Sequence, residues 1–322
     1  MKYLFLVKTD LVQSVPFTAT AEEIRAVCQR DNLDYELVYT RFLGEEEEVV
    51  RKRLHEIHER PIRVIVCGNL ESLHFSVNGL FGINGVELGY FPCDGNYDFF
   101  SSFPNLTASK LTKIDELLKG QAVDVDLLKI NNRNCITVAY LGMDTNLSWF
   151  GLQFIRFCRW CSFFRLNQQW FRRWFHFFLL LFDTQPKTIR LCVNGYANYE
   201  NPYSVVAFAN TRKYGTGSLC APQAKIDDGL VDLVFVHKLS FLGILKMSRI
   251  YWKGLIADNE YARHFIQYRH CMNIKAETIE PVFMAMDTVV YLYDRQFHIQ
   301  TVPAALRLLL PLSLNKEQDS ND

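Results

Sequence analysis

The sequence predicts two domains of different kind, an α/β domain followed by a mainly antiparallel β domain. Three observations carry this. Strand-like and helix-like stretches alternate through the first third of the chain, the pattern of a parallel sheet wrapped by helices. From about residue 121 strand-like runs dominate instead, which suits antiparallel pairing. The length, 322 residues, exceeds what one core usually fills.

The elements follow in order. Tyr3–Val7 reads as a buried strand, too short for a signal peptide and interrupted by Lys8 and Asp10. A helix opens at Thr20, with Glu22 and Glu23 in its first turn and Thr18 or Thr20 as cap. Tyr35–Tyr39 is the next strand. Gly44 and the run Glu45–Glu48 begin a helix that ends in Arg51, Lys52 and Arg53. Acid in front and base behind suits the helix dipole, and the acidic run reads as a solvated helix start. Ile62–Cys67 has no charge after Arg63 and reads as a central strand. Leu73–Leu80 reads as helix, Glu87–Phe91 as strand and residues 107–120 as a further helix. Val123–Lys129, Cys135–Leu141, Thr188–Val193, Ser204–Ala209 and Leu230–His237 are strand-like, and Arg295–Pro311 adds two apolar runs before a polar tail.

Composition narrows the function. Thirty-five basic and 35 acidic residues balance, so no global field attracts nucleic acid. Nine cysteines at irregular spacings read as reduced thiols of a cytoplasmic protein. No apolar stretch reaches the ~18–20 residues that span a bilayer.

Five segments carry a resemblance, in order along the chain. They are Asn78-Gly79-Leu80; Leu88-Gly89-Tyr90-Phe91-Pro92 with Asp98-Phe99; Val123–Lys129 with Leu141-Gly142-Met143-Asp144; Asn210–Gly217 with Ala221-Pro222; and Lys225-Ile226-Asp227-Asp228-Gly229-Leu230-Val231-Asp232. Together they resemble the diacylglycerol and sphingosine kinase-like lipid kinases. The resemblance implies an N-terminal Rossmann-like α/β nucleotide domain followed by a β-sandwich with a helical insertion. Its boundaries fall at 1–120 for the α/β domain, at 121–302 for the sandwich, and at 303–322 for a return strand and tail. It implies transfer of the ATP γ-phosphate to a diacylglycerol-like or sphingoid hydroxyl. Asp287, in Asp287-Thr288-Val289, matches the family's general base, and Asp144 a substrate-side position of the cleft.

The nucleotide motifs depart from the family pattern. Gly68-Asn69-Leu70-Glu71-Ser72 stands where the family has Gly-Gly-Asp-Gly-Thr. Gly68, Asn69 and Ser72 would be the surviving phosphate contacts, with Asp98 from the third loop. A phosphate cradle needs glycines for close backbone approach, and Glu71 brings a negative charge instead. At ~4 Å and an effective dielectric of ~20 that repulsion is about 4 kcal/mol per charge pair. Lys8-Thr9-Asp10-Leu11 replaces the family's Asn-Pro-x-Ser-Gly, and the glycines of the third loop are shifted in Asp94–Phe99. Two readings follow: a divergent kinase, or a pseudokinase that binds lipid or a membrane surface without turnover. A NAD-kinase-like activity would need the same lost Gly-Gly-Asp.

Two features remain. By resemblance the Asp-Asp-Gly turn holds a structural Mg²⁺ through Asp228 and the carbonyls of Lys225 and Leu230, suitable hard-cation chemistry; the same residues also read as a plain turn before a strand. Within the aromatic-rich helical segment 147–182, Trp149–Phe182 holds 14 aromatic residues and five arginines. That mixture suits a peripheral membrane interface, and equally a buried helical pair or a homodimer surface with arginines at its rim.

Overall fold

The computed structural model describes residues 1–9, 16–58, 60–103, 106, 113–142, 186–214, 218–240, 242–243, 246–247, 250 and 259–311. The chain divides into two compact units. The first comprises residues 1–136, 225–229 and 301–322, and the second residues 137–224 and 230–300.

The first unit alternates as the sequence predicts. Its elements are β1 (Lys2–Lys8), α1 (Pro16–Arg30), β2 (Asp34–Thr40), α2 (Glu45–Glu56), β3 (Ile62–Gly68), α3 (Leu70–Leu80), β4 (Val86–Pro92), α4 (Ile114–Leu118), β5 (Gln121–Ile130) and β6 (Arg133–Cys135). β3 pairs in parallel with β1 and β4, and β1 with β2. The central β3 is buried along its length apart from Arg63, as its uncharged run requires. Leu4, Leu6, Val64 and Val66 pack with Val50, Leu73, Val77 and Leu88 on one face of the sheet. Phe5, Val7, Ile65 and Cys67 pack with Ile24, Val27 and Leu117 on the other.

The unit is not the contiguous stretch 1–120 read from the sequence. Val125, Leu127 and Ile136 join the same core as Leu4 and Val64, and so do Leu306, Leu308 and Leu310 from the end of the chain. Burial of these apolar residues draws β5, β6 and the last strand into the unit. α3 also begins earlier than Leu73, because Asn69 caps it and its first turn runs through Leu70, Glu71 and Ser72.

The second unit contains β7 (Val138–Gly142), β8 (Lys187–Val193), β9 (Ala197–Ala209), the short pair β10 (Lys213–Tyr214) and β11 (Ser218–Leu219), β12 (Val231–His237), α5 (Glu260–Phe265), β13 (Ile266–Cys271), β14 (Asn273–Met286) and β15 (Val289–Leu310). β15 belongs to this unit as far as Gln300; from Thr301 it belongs to the first unit, where Arg307–Leu309 pair in parallel with β4. The two apolar runs expected near the C-terminus are therefore one strand. Pairing is antiparallel in the order β13-β12-β9-β7-β14-β15. β8 shares with β7 the slot between β9 and β14. Gly142 and Lys187 pair with Val205 and Tyr203, two residues apart on β9, so the chain leaves and re-enters the sheet at one place. Only glycine fits the exit: φ is 110° at Gly142, and a Cβ there would lie 2.4 Å from the Ser204 carbonyl oxygen.

Candidate functional site

The junction of β3 and α3 is where the sequence places the phosphate contacts. Its chemistry is directed inward. Asn69 is the N-cap, and its Oδ1 accepts from the Ser72 amide at 3.0 Å, satisfying one of the helix's orphan donors internally. The Ser72 hydroxyl lies 3.0 Å from Glu46 Oε1 and 3.1 Å from Asn69 Oδ1. Glu46 Oε1 also receives the Thr40 hydroxyl at 3.1 Å and the Lys8 ammonium at 3.0 Å. Lys8 Nζ donates further to the Phe42 carbonyl at 2.7 Å. Lys8, Thr40, Glu46 and Ser72 are all at least nine-tenths buried.

This corrects one expectation and adds two residues. The acidic run is not uniformly solvated, because Glu46 is only 1% exposed. The signal was its spacing: Glu46, Val50 and Leu54 recur every four residues and form the buried stripe of α2. Lys8, which ends β1, supplies the charge that makes this burial tolerable. Glu71 stands beside them. Burial raises its carboxyl above the ordinary value of 4.5, and Glu46 adds to the rise while Asn69 and Lys8 oppose it.

Asp98 follows the neighbouring strand β4. Its amide donates to Asn96 Oδ1, and the Asn96 amide to Asp94 Oδ1, both at 3.0 Å. These Asx turns lead into a short 3₁₀ helix, Asp98–Ser102. Burial and the Asp98 charge push the Asp94 carboxyl up. Gly68 therefore ends β3, Asn69 and Ser72 cap and open α3, and Asp98 opens the short helix after the adjacent strand β4, with the raised carboxyls of Glu71 and Asp94 near them.

Asn78-Gly79 serves packing. Asn78 Nδ2 donates to the carbonyls of His74 and Asn134, and its Oδ1 accepts from the Asn134 amide, all at 2.9 Å. This ties α3 to β6. A Cβ on Gly79 would lie 2.6 Å from the Glu47 carbonyl oxygen, so glycine permits the close approach of α2.

In the second unit, Asp287 and Thr288 form the two-residue turn between β14 and β15, with φ of 49° and 75°, the positive-φ pattern of a tight hairpin. Asp287 is 1% exposed. Its Oδ1 accepts the Thr137 amide at 2.7 Å and the Thr137 hydroxyl at 2.6 Å. Asp144 and the segment 147–182 lie outside the described residues.

The Asp-Asp-Gly turn is braced by a residue not singled out from the sequence. Asp126 Oδ2 accepts the Gly229 amide at 2.6 Å and its Oδ1 the Ala304 amide at 2.8 Å. The Asp126 amide donates to the Ile226 carbonyl at 2.7 Å. The donors proposed for Mg²⁺ are the exposed Asp228 carboxylate and the carbonyls of Lys225 and Leu230. One carboxylate among carbonyls fits a weak hard-cation site. Among the described residues, no group of three or more His, Cys, Asp or Glu is placed to hold a metal ion.

Comparison with known proteins now bears on this arrangement. Residues 177–310 match the family described as the YegS C-terminal NAD kinase beta sandwich-like domain. A diacylglycerol kinase of Mycobacterium tuberculosis is 24% identical over 245 residues, 70% of each chain. A diacylglycerol kinase structure from Bacillus anthracis str. Sterne covers 97% of this chain and 98% of its own, with 16% identity and a TM-score of 0.64. Another structure from that organism reaches a TM-score of 0.72 at the same identity and coverage. The chain is thus similar, over most of its length, to diacylglycerol kinases in sequence and in fold. Residues 177–310 are the portion that matches the YegS-type, NAD kinase beta sandwich-like domain.

Proposed function

We propose that this chain is a lipid-kinase-like protein that has given up ATP-dependent phosphotransfer and acts by holding a lipid or an anionic membrane surface. One observation carries the reading: the polar groups at the β3–α3 junction are engaged with Glu46. Phosphoryl transfer depends on positioning and charge neutralisation. A phosphate arriving here would meet Glu46 and Glu71 and would have to displace a buried ion pair, whose disruption typically costs about 3–5 kcal/mol. The lipid half of the reading rests on the similarity to diacylglycerol kinases and on the arginine and aromatic content of 149–182. The same aromatic and arginine content suits a second copy of the chain as protein partner, and the balanced charge gives nothing to recruit nucleic acid. A structural Mg²⁺ would be held by Asp228 with the Lys225 and Leu230 carbonyls. Peripheral attachment would suffice, since no helix among the described residues is long and apolar enough to cross a membrane.

Active lipid phosphorylation is the competing reading, with Asp287 as base. It would require that carboxylate to exchange its Thr137 contacts for a substrate hydroxyl. The two part in one assay with γ-labelled ATP, Mg²⁺ and anionic vesicles carrying diacylglycerol or a sphingoid base. Our reading predicts no label transfer above the protein-free blank, together with vesicle co-sedimentation that weakens as salt rises. Transfer by the wild type that disappears in Asp287→Asn would restore the kinase.

A further inference from the structure

We infer that the first unit carries a preformed oxyanion hole which the chain fills with its own Glu46. Three donors from three separate segments converge on one carboxylate oxygen: Lys8 Nζ from β1 at 3.0 Å, the Thr40 hydroxyl from β2 at 3.1 Å, and the Ser72 hydroxyl from α3 at 3.0 Å. Two of these donors are hydroxyls, each 2% exposed or less, held at the same oxygen by elements other than the two that carry the ion pair. The second oxygen, Oε2, is buried without a hydrogen-bond partner among the described residues. A side chain that leaves half its acceptor capacity unused in a dry site is held there by the donors around its other half. The hole also lies beside the start of an 11-residue helix, an end that favours negative charge. The ligand class follows: a small oxyanion, whether a carboxylate such as formate or an inorganic phosphate.

The inference rests on the same junction as the proposed function and deepens it, since Glu46 then acts as an intramolecular substitute for a bound anion. Removing the Glu46 carboxylate leaves Lys8, 7% exposed, as an uncompensated buried cation. An anion from solution then binds the folded state alone and stabilises it by mass action. Two other carboxylates face Lys8. Glu45 is tied to the amides of Arg41 and Phe42, and Glu71 is the remaining competitor.

The test is thermal unfolding of full-length Glu46→Ala, alone and with Glu71→Gln, in sodium formate, sodium phosphate and sodium chloride at equal ionic strength. In roughly tenfold excess over its dissociation constant, formate or phosphate should raise the melting temperature of at least one of these variants by about 3–6 °C above chloride. Wild type should show no such difference, and adding Lys8→Met should abolish it. If Glu46→Ala does not fold without an oxyanion, its refolding yield across the same three salts gives the reading. Indifference of both variants to the choice of anion overturns the hole. A wild type that binds Mg-ATP would sink the proposed function instead, so the two failures are distinguishable.

Discussion

Asp287 and Thr288 share a turn that requires positive φ at both positions, and each should respond to mutation accordingly. Thr288 is β-branched and strained there, so Thr288→Gly should stabilise by about 1 kcal/mol in urea unfolding. Asp287→Ala removes the acceptor for the buried Thr137 amide and hydroxyl and should cost about 2–4 kcal/mol. Glu71 gives a pH signature. Its folded-state carboxyl titrates above the ordinary value of 4.5 because burial disfavours the charge. The unfolded chain therefore ionises first as pH rises, and stability is lost between the two titrations. Glu71→Gln should melt higher than wild type at neutral pH, and the gap should close as pH falls below about 4.5. A gap unchanged with pH would show that the carboxyl is solvated. At this scale the sequence misled on charge: four consecutive glutamates looked solvated, and only the four-residue recurrence with Val50 and Leu54 marked Glu46 as buried.

Elements were more legible, because they follow from periodicity. The alternation of strands and helices before residue 107 read correctly, although α1 begins at Pro16 rather than Thr20, so that Thr18 and Thr20 lie inside it and its first turn carries no acid. Asp126 shows what periodicity cannot reveal. Its partners lie 103 and 178 residues away, and no local pattern connects them. It holds β5, the Asp-Asp-Gly turn and the last strand of the first unit together. Both of its oxygens accept backbone amides, so Asp126→Asn turns one acceptor into a donor facing a donor. That change should cost about 2–3 kcal/mol and is measured by chemical denaturation. The start of α3 was missed for a related reason: the loop-like Gly68-Asn69 reads as part of a phosphate motif, whereas Asn69 acts as a helix cap.

For the whole molecule, the change from α/β to antiparallel β was visible in the order of segments, but the division into units was not. The first unit is completed by residues from the end of the chain, where Leu306, Leu308, Leu309 and Leu310 are each at most 4% exposed. At about 1.5–3 kcal/mol apiece, truncation after Gln300 removes roughly 6–12 kcal/mol, comparable to the ~5–15 kcal/mol stability of a whole domain. Truncated protein should lose the cooperative unfolding of the first unit, seen as a missing transition in calorimetry. The similarity to diacylglycerol kinases was likewise legible in the five ordered segments. Competence was a question of what fills the β3–α3 junction, and that depends on Lys8, Thr40 and Glu46, none of which belongs to a recognisable phosphate motif. The most direct measurement is isothermal titration of Mg-ATP into the purified wild-type chain. An engaged junction predicts no heat and no saturation up to millimolar nucleotide. Micromolar binding would mean that the Lys8–Glu46 pair yields to phosphate, and would contradict the account.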